Sequence, residues 1–533
     1  MTIYDHQKID AIMTTPGIGA GNFLYSLSKH ETDKNRKILI LDIPVNLPDG
    51  RQVLELTLAD ILLWSNTNAA WFKLQGITCK DPVGLYLDDT IDYLINYLAL
   101  TQIGAIPVMI NGNLTVDIAA RFLERVGAVM AISTKEKWLS LEPVLKVLNS
   151  DINKKNISDI DSSSGKCEEY YQHQASDPVL LGHTSGTTGI PKAVQFNHHG
   201  FFFGIKQQIN KQMGTRILSA LPHSHASAIS IIMSSVLRGA LIKIQSKKSA
   251  TDIFSTFETF KPDMFVSFPK IYVDICRYDL NQHDLSSISY WLSTGDANHE
   301  SHIKKLIEQG SYTHKGKRHK GSVFIDNLGS SEFGFAAFRN MHYPGSNKYD
   351  RRIGLPFDWV EAAVLDDDGN KLDAHKVGYL GVKSESVTAG YWNNTLLSEK
   401  NRLAGFWLTG DLVYKNKDGV YFHVDRTTDS IKTKDGFLYS CQTEELILRN
   451  FSHLFDCSIV GVKSEAGYQK PILTVETNNG EKDDKLLEEI NLVLEKNNTP
   501  LISSIIFESS SNDTGVTGKK LKRVVRDKFV AAQ

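Results

Sequence analysis

Residues Thr184-Ser185-Gly186-Thr187-Thr188-Gly189-Ile190-Pro191-Lys192 limit the fold of this chain more than any other stretch. The apolar run Val179-Leu180-Leu181 precedes them. Ala193-Val194-Gln195-Phe196 follows and alternates as a strand does. The segment therefore reads as strand–loop–strand. Its small residues let backbone N–H groups approach an anion closely, and its hydroxyls add further donors. Lys192 adds a point charge, so the loop suits a polyphosphate. The nucleotide P-loop, G-x-x-x-x-G-K-[ST] opening a helix, is excluded: Pro191 precedes the lysine, no Ser or Thr follows it, and a strand comes next. Taken alone, the segment also reads as a plain polar turn.

With 533 residues the chain is too long for one core, so two or more domains are expected. A net charge of -2 and a hydrophobic fraction of 41% are ordinary for a globular protein and give no reason to expect nucleic acid or a membrane surface as partner. Cys79, Cys167, Cys276, Cys441 and Cys457 are scattered, without zinc spacing, and read as reduced thiols. Met1 to Asp10 is polar and shows no secretory signal. No run reaches the roughly 20 apolar residues of a membrane helix. Ala226 to Val236 comes nearest, but serines interrupt it and it reads as a buried helix. A cytoplasmic protein without a membrane span is expected.

From Leu56 onward, helical patterns (Leu58–Leu63, Ile91–Ile103, Ala119–Val126) alternate with short apolar strands (Pro82–Leu87, Ile106–Ile110, Ala128–Ile132). That alternation implies an α/β domain with parallel sheet. Asp151 to Lys166 reads as a surface loop, and Gly310 to Gly321 as a basic loop. Gly354 to Tyr391 reads as a β-rich subdomain. After Arg426 come about a hundred residues with their own patterns, enough for a small α+β domain. The fold class expected is α/β: a large N-terminal domain, residues 1–425, and a small mobile α+β lid, residues 426–533, with a hinge near 426–429.

Other turns carry chemistry. Pro222 leaves His223 and His225 at a strand end, where core or surface histidines are the plain alternative. Gly295, Asp296 and Ala297 form a small-residue turn after a strand, where an adenine plane can lie against backbone. Asp326-Asn327-Leu328-Gly329-Ser330-Ser331-Glu332 sets a hydroxyl beside a carboxylate at a strand end, which suits a metal-bound phosphate.

In their order along the chain, these segments resemble the motifs of the adenylate-forming superfamily: acyl-CoA synthetases, adenylation domains and luciferases. The resemblance covers nearly the whole chain. It implies that Thr184, Ser185, Gly186, Thr187, Thr188, Gly189 and Lys192 hold the β- and γ-phosphates of ATP. His225 lines the path of a carboxylate, Gly295, Asp296, Ala297, Asn327 and Leu328 bound the adenine, Ser331 contacts the α-phosphate and Glu332 binds Mg²⁺. Thr409-Gly410-Asp411 resembles the ribose-binding motif through Asp411. Asp425 to Lys432 resembles the hinge, with Arg426 on the nucleotide. Thr517-Gly518-Lys519 resembles the terminal motif, whose lysine, here Lys519, reaches the carboxylate and α-phosphate. The chain departs from these motifs at Leu328, where an aromatic is usual, at Asp425, where glycine is usual, and at Thr428.

The implied reaction is attack of a carboxylate on the α-phosphate of ATP, loss of pyrophosphate, and transfer of the acyl group to a thiol. A carboxylate is already nucleophilic, so the site must position it and neutralise charge. No acid follows His225 in Ala226-Ser227-Ala228, where amino-acid-activating relatives hold an α-amine, and the next helix is apolar. A fatty acid is therefore expected. Pro107–Leu114 and Ala389–Asn394 further resemble stand-alone fatty-acyl-AMP ligases, which load an acyl carrier protein. The acceptor stays open between CoA and 4'-phosphopantetheine of a carrier protein; the basic residues Lys315–Lys320 suit either, or solvent. Rival readings are an amino-acid or aryl-acid adenylation enzyme of a peptide pathway, and a catalytically silent nucleotide-binding protein.

Overall fold

The computed structural model describes residues 3–161, 164–184, 190–346, 349–464 and 467–508, together with Lys522 and Arg526. The expected alternation produces a parallel sheet. Strands Pro82–Tyr86, Ile106–Ile110 and Met130–Ser133 pair in parallel, with helices Asp92–Gln102 and Val116–Val126 as crossovers. Nearly every residue of these strands is buried, as expected of a sheet covered on both faces. Pro178–His183 joins beside Ile106–Ile110 and turns back antiparallel into Ala193–Asn197. Strands therefore flank the segment 184–192 on both sides, as the sequence reading expects.

At the other edge lies Asn153–Asn156, inside the stretch expected to be a surface loop. Its sequence, Asn-Lys-Lys-Asn, carries no apolar alternation, because an edge strand facing solvent has nothing to bury and is protected by its charges.

A second sheet has a parallel centre: Lys37–Asn46, Leu241–Ile244, Arg216–Ser219, Met264–Ser267, Tyr290–Thr294 and Val323–Gly329. It continues antiparallel through Ala336–His342, Arg352–Pro356, Tyr421–Arg426, Phe406–Lys415, Gly378–Lys383 and Glu361–Leu365. That half is the expected β-rich part. The buried helix Ala226–Leu237 packs against this sheet, with Ile229, Ile232, Met233 and Val236 in the core. The basic segment after Gly310 is a hairpin, Ser311–His314 with Lys317–Lys320, rather than an irregular loop.

The smaller C-terminal domain has its own core. Strands Leu454–Lys463, Gln469–Thr477 and Ser504–Phe507 carry helices Ser440–Asn450 and Leu486–Lys496. It is tied to the large domain by charge: Arg277 pairs with Glu476, His299 lies 3.2 Å from Glu445, and Arg449 pairs with Glu300 and Asp350. Among the described residues no cysteine is in a disulfide, and no helix is long and apolar enough to cross a membrane.

Candidate active site

Parallel strands deliver their following loops to one edge, at their C-terminal ends. His183, Ser219, Ser267, Thr294 and Gly329 end such strands here. The segments after them hold Thr184, His225, Phe268, Gly295 and Ser331.

The two ends of the Thr184–Lys192 segment are clamped. The Thr184 N–H donates to the Lys192 carbonyl at 3.2 Å, and the Lys192 N–H to Thr184 Oγ1 at 3.4 Å. Ser185, Gly186, Thr187, Thr188 and Gly189 lie outside the described residues, as does Lys519. Lys192 Nζ donates to the Tyr391 hydroxyl at 3.3 Å, and that hydroxyl donates to Glu332 Oε1 at 2.9 Å. Lys192 and Glu332 are thus brought together through a residue that the sequence reading did not assign to the site.

His225 caps helix Ala226–Leu237. Its Nδ1 accepts from the Ser227 N–H at 3.1 Å, so a neutral ring carries its proton on Nε2. The ring meets Phe268 edge-on, with centroids 5.1 Å apart. His183 is fixed the other way: its Nε2 accepts from the Asn111 N–H at 3.1 Å, which puts the proton on Nδ1, facing the Thr184 carbonyl. Burial pushes the His183 imidazole down to about 4, so it stays neutral. Asn111, His183, Ser224, His225 and Ser331 line a cavity of about 10 Å³. A larger cavity, about 240 Å³, reaches Ser331 from another side, between Gln195, His199, Glu385 and Thr388.

Gly295 has φ +93, and a Cβ there would sit 2.8 Å from the Phe268 ring, so only glycine fits this turn. Asp296 is exposed beside it, and its Oδ1 accepts from the Ala297 N–H. Asn327 is buried, and its Oδ1 has no partner among the described residues, which leaves an acceptor for a donor such as an adenine amine. Leu328 is half-buried against the core.

Asp411 is 4% exposed. Burial alone would raise its pKa, but the Arg426 guanidinium at 3.1 Å and the His423 ring at 3.2 Å outweigh burial and hold it well below the usual range. The Asp411 charge in turn raises Arg426. Strand pairing fixes the contact, since Asp411 lies directly opposite Arg426. His423 and His183 were missed by the sequence reading; a histidine next to the phosphate loop was the available signal for the second.

A magnesium ion bound with ATP needs only one or two protein carboxylates, the phosphates supplying the rest. Among the described residues no group of three or more His, Cys, Asp or Glu side chains is placed to hold a metal ion. Glu332, with Oε2 free of hydrogen bonds among the described residues, fits that requirement.

The family model of the AMP-binding enzymes matches residues 45–392. The chain is 34% identical over 558 residues to a 3-aminoavenalumate diazotase of Streptomyces sp, covering 100% of this chain and 99% of that protein. It is 26% identical to 4-coumarate–CoA ligase CCL1 of Humulus lupulus, covering 90% of each. Among solved structures, that of the anthranilate CoA ligase AuaEII in complex with anthranoyl-AMP superposes with a TM-score of 0.83 at 20% identity, covering 98% of this chain and 100% of that one. The chain belongs to the AMP-binding enzyme family. Its motifs and fold are those of the adenylate-forming superfamily, and it is an enzyme of that class.

Proposed function

We propose that this enzyme uses ATP to activate an aromatic carboxylic acid as its acyl adenylate and passes the acyl group to CoA. One observation carries the reading: Lys192 and Glu332 meet through Tyr391, Ser331 beside Glu332 shares a cavity with His225, and Arg426, paired with Asp411, feels the Glu332 charge. In the first step a carboxylate oxygen attacks the α-phosphorus and pyrophosphate leaves. His225 Nε2–H and the Ser331 hydroxyl orient the carboxylate and the α-phosphate, Lys192 meets the outgoing phosphates, and Asp411 anchors the ribose. Magnesium, held by Glu332, would supply charge neutralisation on the phosphates. Lys519 is the residue we assign to the developing charge at phosphorus. In the second step the thiol attacks the acyl carbon and AMP leaves, after the C-terminal domain turns about residues 426–429.

An aromatic acid replaces the fatty acid expected from the sequence. The coumarate and anthranilate ligases named above act on aromatic acids. A carrier protein finds no support in these relatives. The basic hairpin Ser311–Lys320 enters at the N-terminal end of Val323–Gly329, opposite the end that bears Ser331.

A second reading is favoured by the full-length likeness to the diazotase. Here a nitrite oxygen takes the carboxylate's place on the α-phosphorus and pyrophosphate leaves. An aryl amine then attacks the nitrite nitrogen and expels AMP; proton transfer and loss of water leave the diazonium.

Pyrophosphate release with Mg·ATP separates these readings. The panel would hold benzoate, 4-coumarate, anthranilate, fatty acids, and nitrite with and without an amino-substituted aryl acid, each with Lys519→Ala as control. Release with an aryl acid, followed by CoA thioester, supports the first reading. Release only with nitrite, with dinitrogen-yielding product, supports the second, and release only with fatty acids overturns both.

A further inference from the structure

The bridge between Lys192 and Glu332 has a role that neither residue explains. A lysine and a glutamate this close in a half-buried cleft would be expected to pair directly, yet no ion pair joins them; the Tyr391 hydroxyl stands between them, at 3.3 Å and 2.9 Å. A phenol hydroxyl carries a single proton. That proton goes to Glu332, and the oxygen can therefore only accept from Lys192. The ring is held from all sides. It is 6% exposed and meets Trp407 with centroids 5.5 Å apart. Its N–H donates to Ser398 Oγ at 2.9 Å, and it bridges Val194, two residues beyond Lys192. The neighbouring Thr388 N–H donates to the Glu332 carbonyl at 2.7 Å. One short segment, 388–392, is thus stitched both to the strand that follows Lys192 and to the turn that carries Glu332.

We propose that Tyr391 is a positioning residue that keeps the phosphate-binding lysine and the metal-binding glutamate from neutralising each other. Lys192 then faces the phosphates with its charge unspent, and Glu332 keeps Oε2 turned free for magnesium. This rests on the adenylation reading. Without the hydroxyl, the two side chains close on one another, and Mg·ATP must break that pair before it can bind.

The test is binding of α,β-methylene-ATP, measured by calorimetry with and without magnesium, to the full-length wild type and to Tyr391→Phe. In the wild type magnesium tightens binding; in Tyr391→Phe we expect most of that gain to be lost, about 10-fold in Kd, with a smaller loss in the magnesium-free Kd because Lys192 is then held by Glu332. Equal gains in the two proteins would overturn the proposal. No nucleotide binding by the wild type would instead overturn the adenylation reading itself. In a Glu332→Gln background, where no ion pair can form, Tyr391→Phe should cost nothing further; an equal further loss there, or a mere folding defect seen in the melting curve, would mean that Tyr391 only supports the fold.

Discussion

Asp411→Asn tests the ribose site because it removes a charge and almost no volume. In the folded protein Asp411 accepts from Arg426 and His423 and is charged across any practical assay range. Hydrogen bonds to a charged acceptor contribute about 1.5–3 kcal/mol and neutral ones about 0.5–1.5, so each ribose hydroxyl held by Asp411 loses about 1 kcal/mol in the variant. Two hydroxyls give about 2 kcal/mol, or about a 30-fold rise in the KM for ATP. Folding is affected less, because the Arg426 side chain is 46% exposed and water replaces the lost partner. The sharper measurement uses 2'-deoxy-ATP in the pyrophosphate-release assay. The wild type should discriminate against it by about 30-fold, one charge-assisted bond, and Asp411→Asn by about 5-fold, one neutral bond. If both proteins discriminate equally, Asp411 does not hold the ribose, and the nucleotide lies elsewhere.

Acid should destabilise the fold through its buried histidines. His183, His198 and His342 are all lowered to about 4, chiefly by burial. Below the unfolded value near 6.5 the unfolded chain binds protons that the folded chain refuses, so stability is full above that pH and falls as pH drops toward 4. At pH 5 the loss is about 2 kcal/mol per histidine. Urea midpoints at pH 7 and 5 should diverge less for His183→Gln than for the wild type, and an identical drop in both would refute the assignment. Lys519→Ala should lower acyl-adenylate formation by at least about 100-fold while sparing thioester formation from supplied adenylate. Equal loss in both half-reactions would remove Lys519 from the first. Asp425→Gly removes the acceptor of the Ser440 N–H and hydroxyl. Hydrogen exchange in helix Ser440–Asn450 should speed up, by about 1–3 kcal/mol of local stability, and unchanged exchange would show that the carboxylate is idle.

The elements that bury a regular face were legible in the sequence, and the features that depend on distant partners were not. Ile106–Ile110 is apolar throughout and pairs on both sides, so its run of five apolar or ring residues is a direct record of its surroundings. Asn153–Asn156 carries no such record, because an edge strand is specified by its neighbour Met130–Ser133. The same division runs through the site. Lys192, Glu332 and Asp411 stand in short segments whose residue types carry the chemistry locally. Tyr391 was visible only as part of a resemblance to fatty-acyl-AMP ligases, since its hydroxyl gains meaning from two residues 199 and 59 positions away.

Asp425 shows why departures from a motif need the fold before they are given a meaning. It stands in the hinge where glycine is usual. In the structure its carboxylate is fully buried and receives the first N–H of helix Ser440–Asn450, an orphan donor that the helix's own cap residue, Tyr439, leaves without a side-chain partner. The Ser440 hydroxyl also donates to Asp425 and receives Lys522 Nζ, which pairs in turn with Glu444. A glycine at 425 would leave that helix end uncapped and remove a negative charge near Lys522. The substitution is therefore compensated inside the C-terminal domain. It belongs to the way this chain fastens its last helix-bearing domain to strand Tyr421–Arg426, and Arg426, the next residue, keeps its place on Asp411.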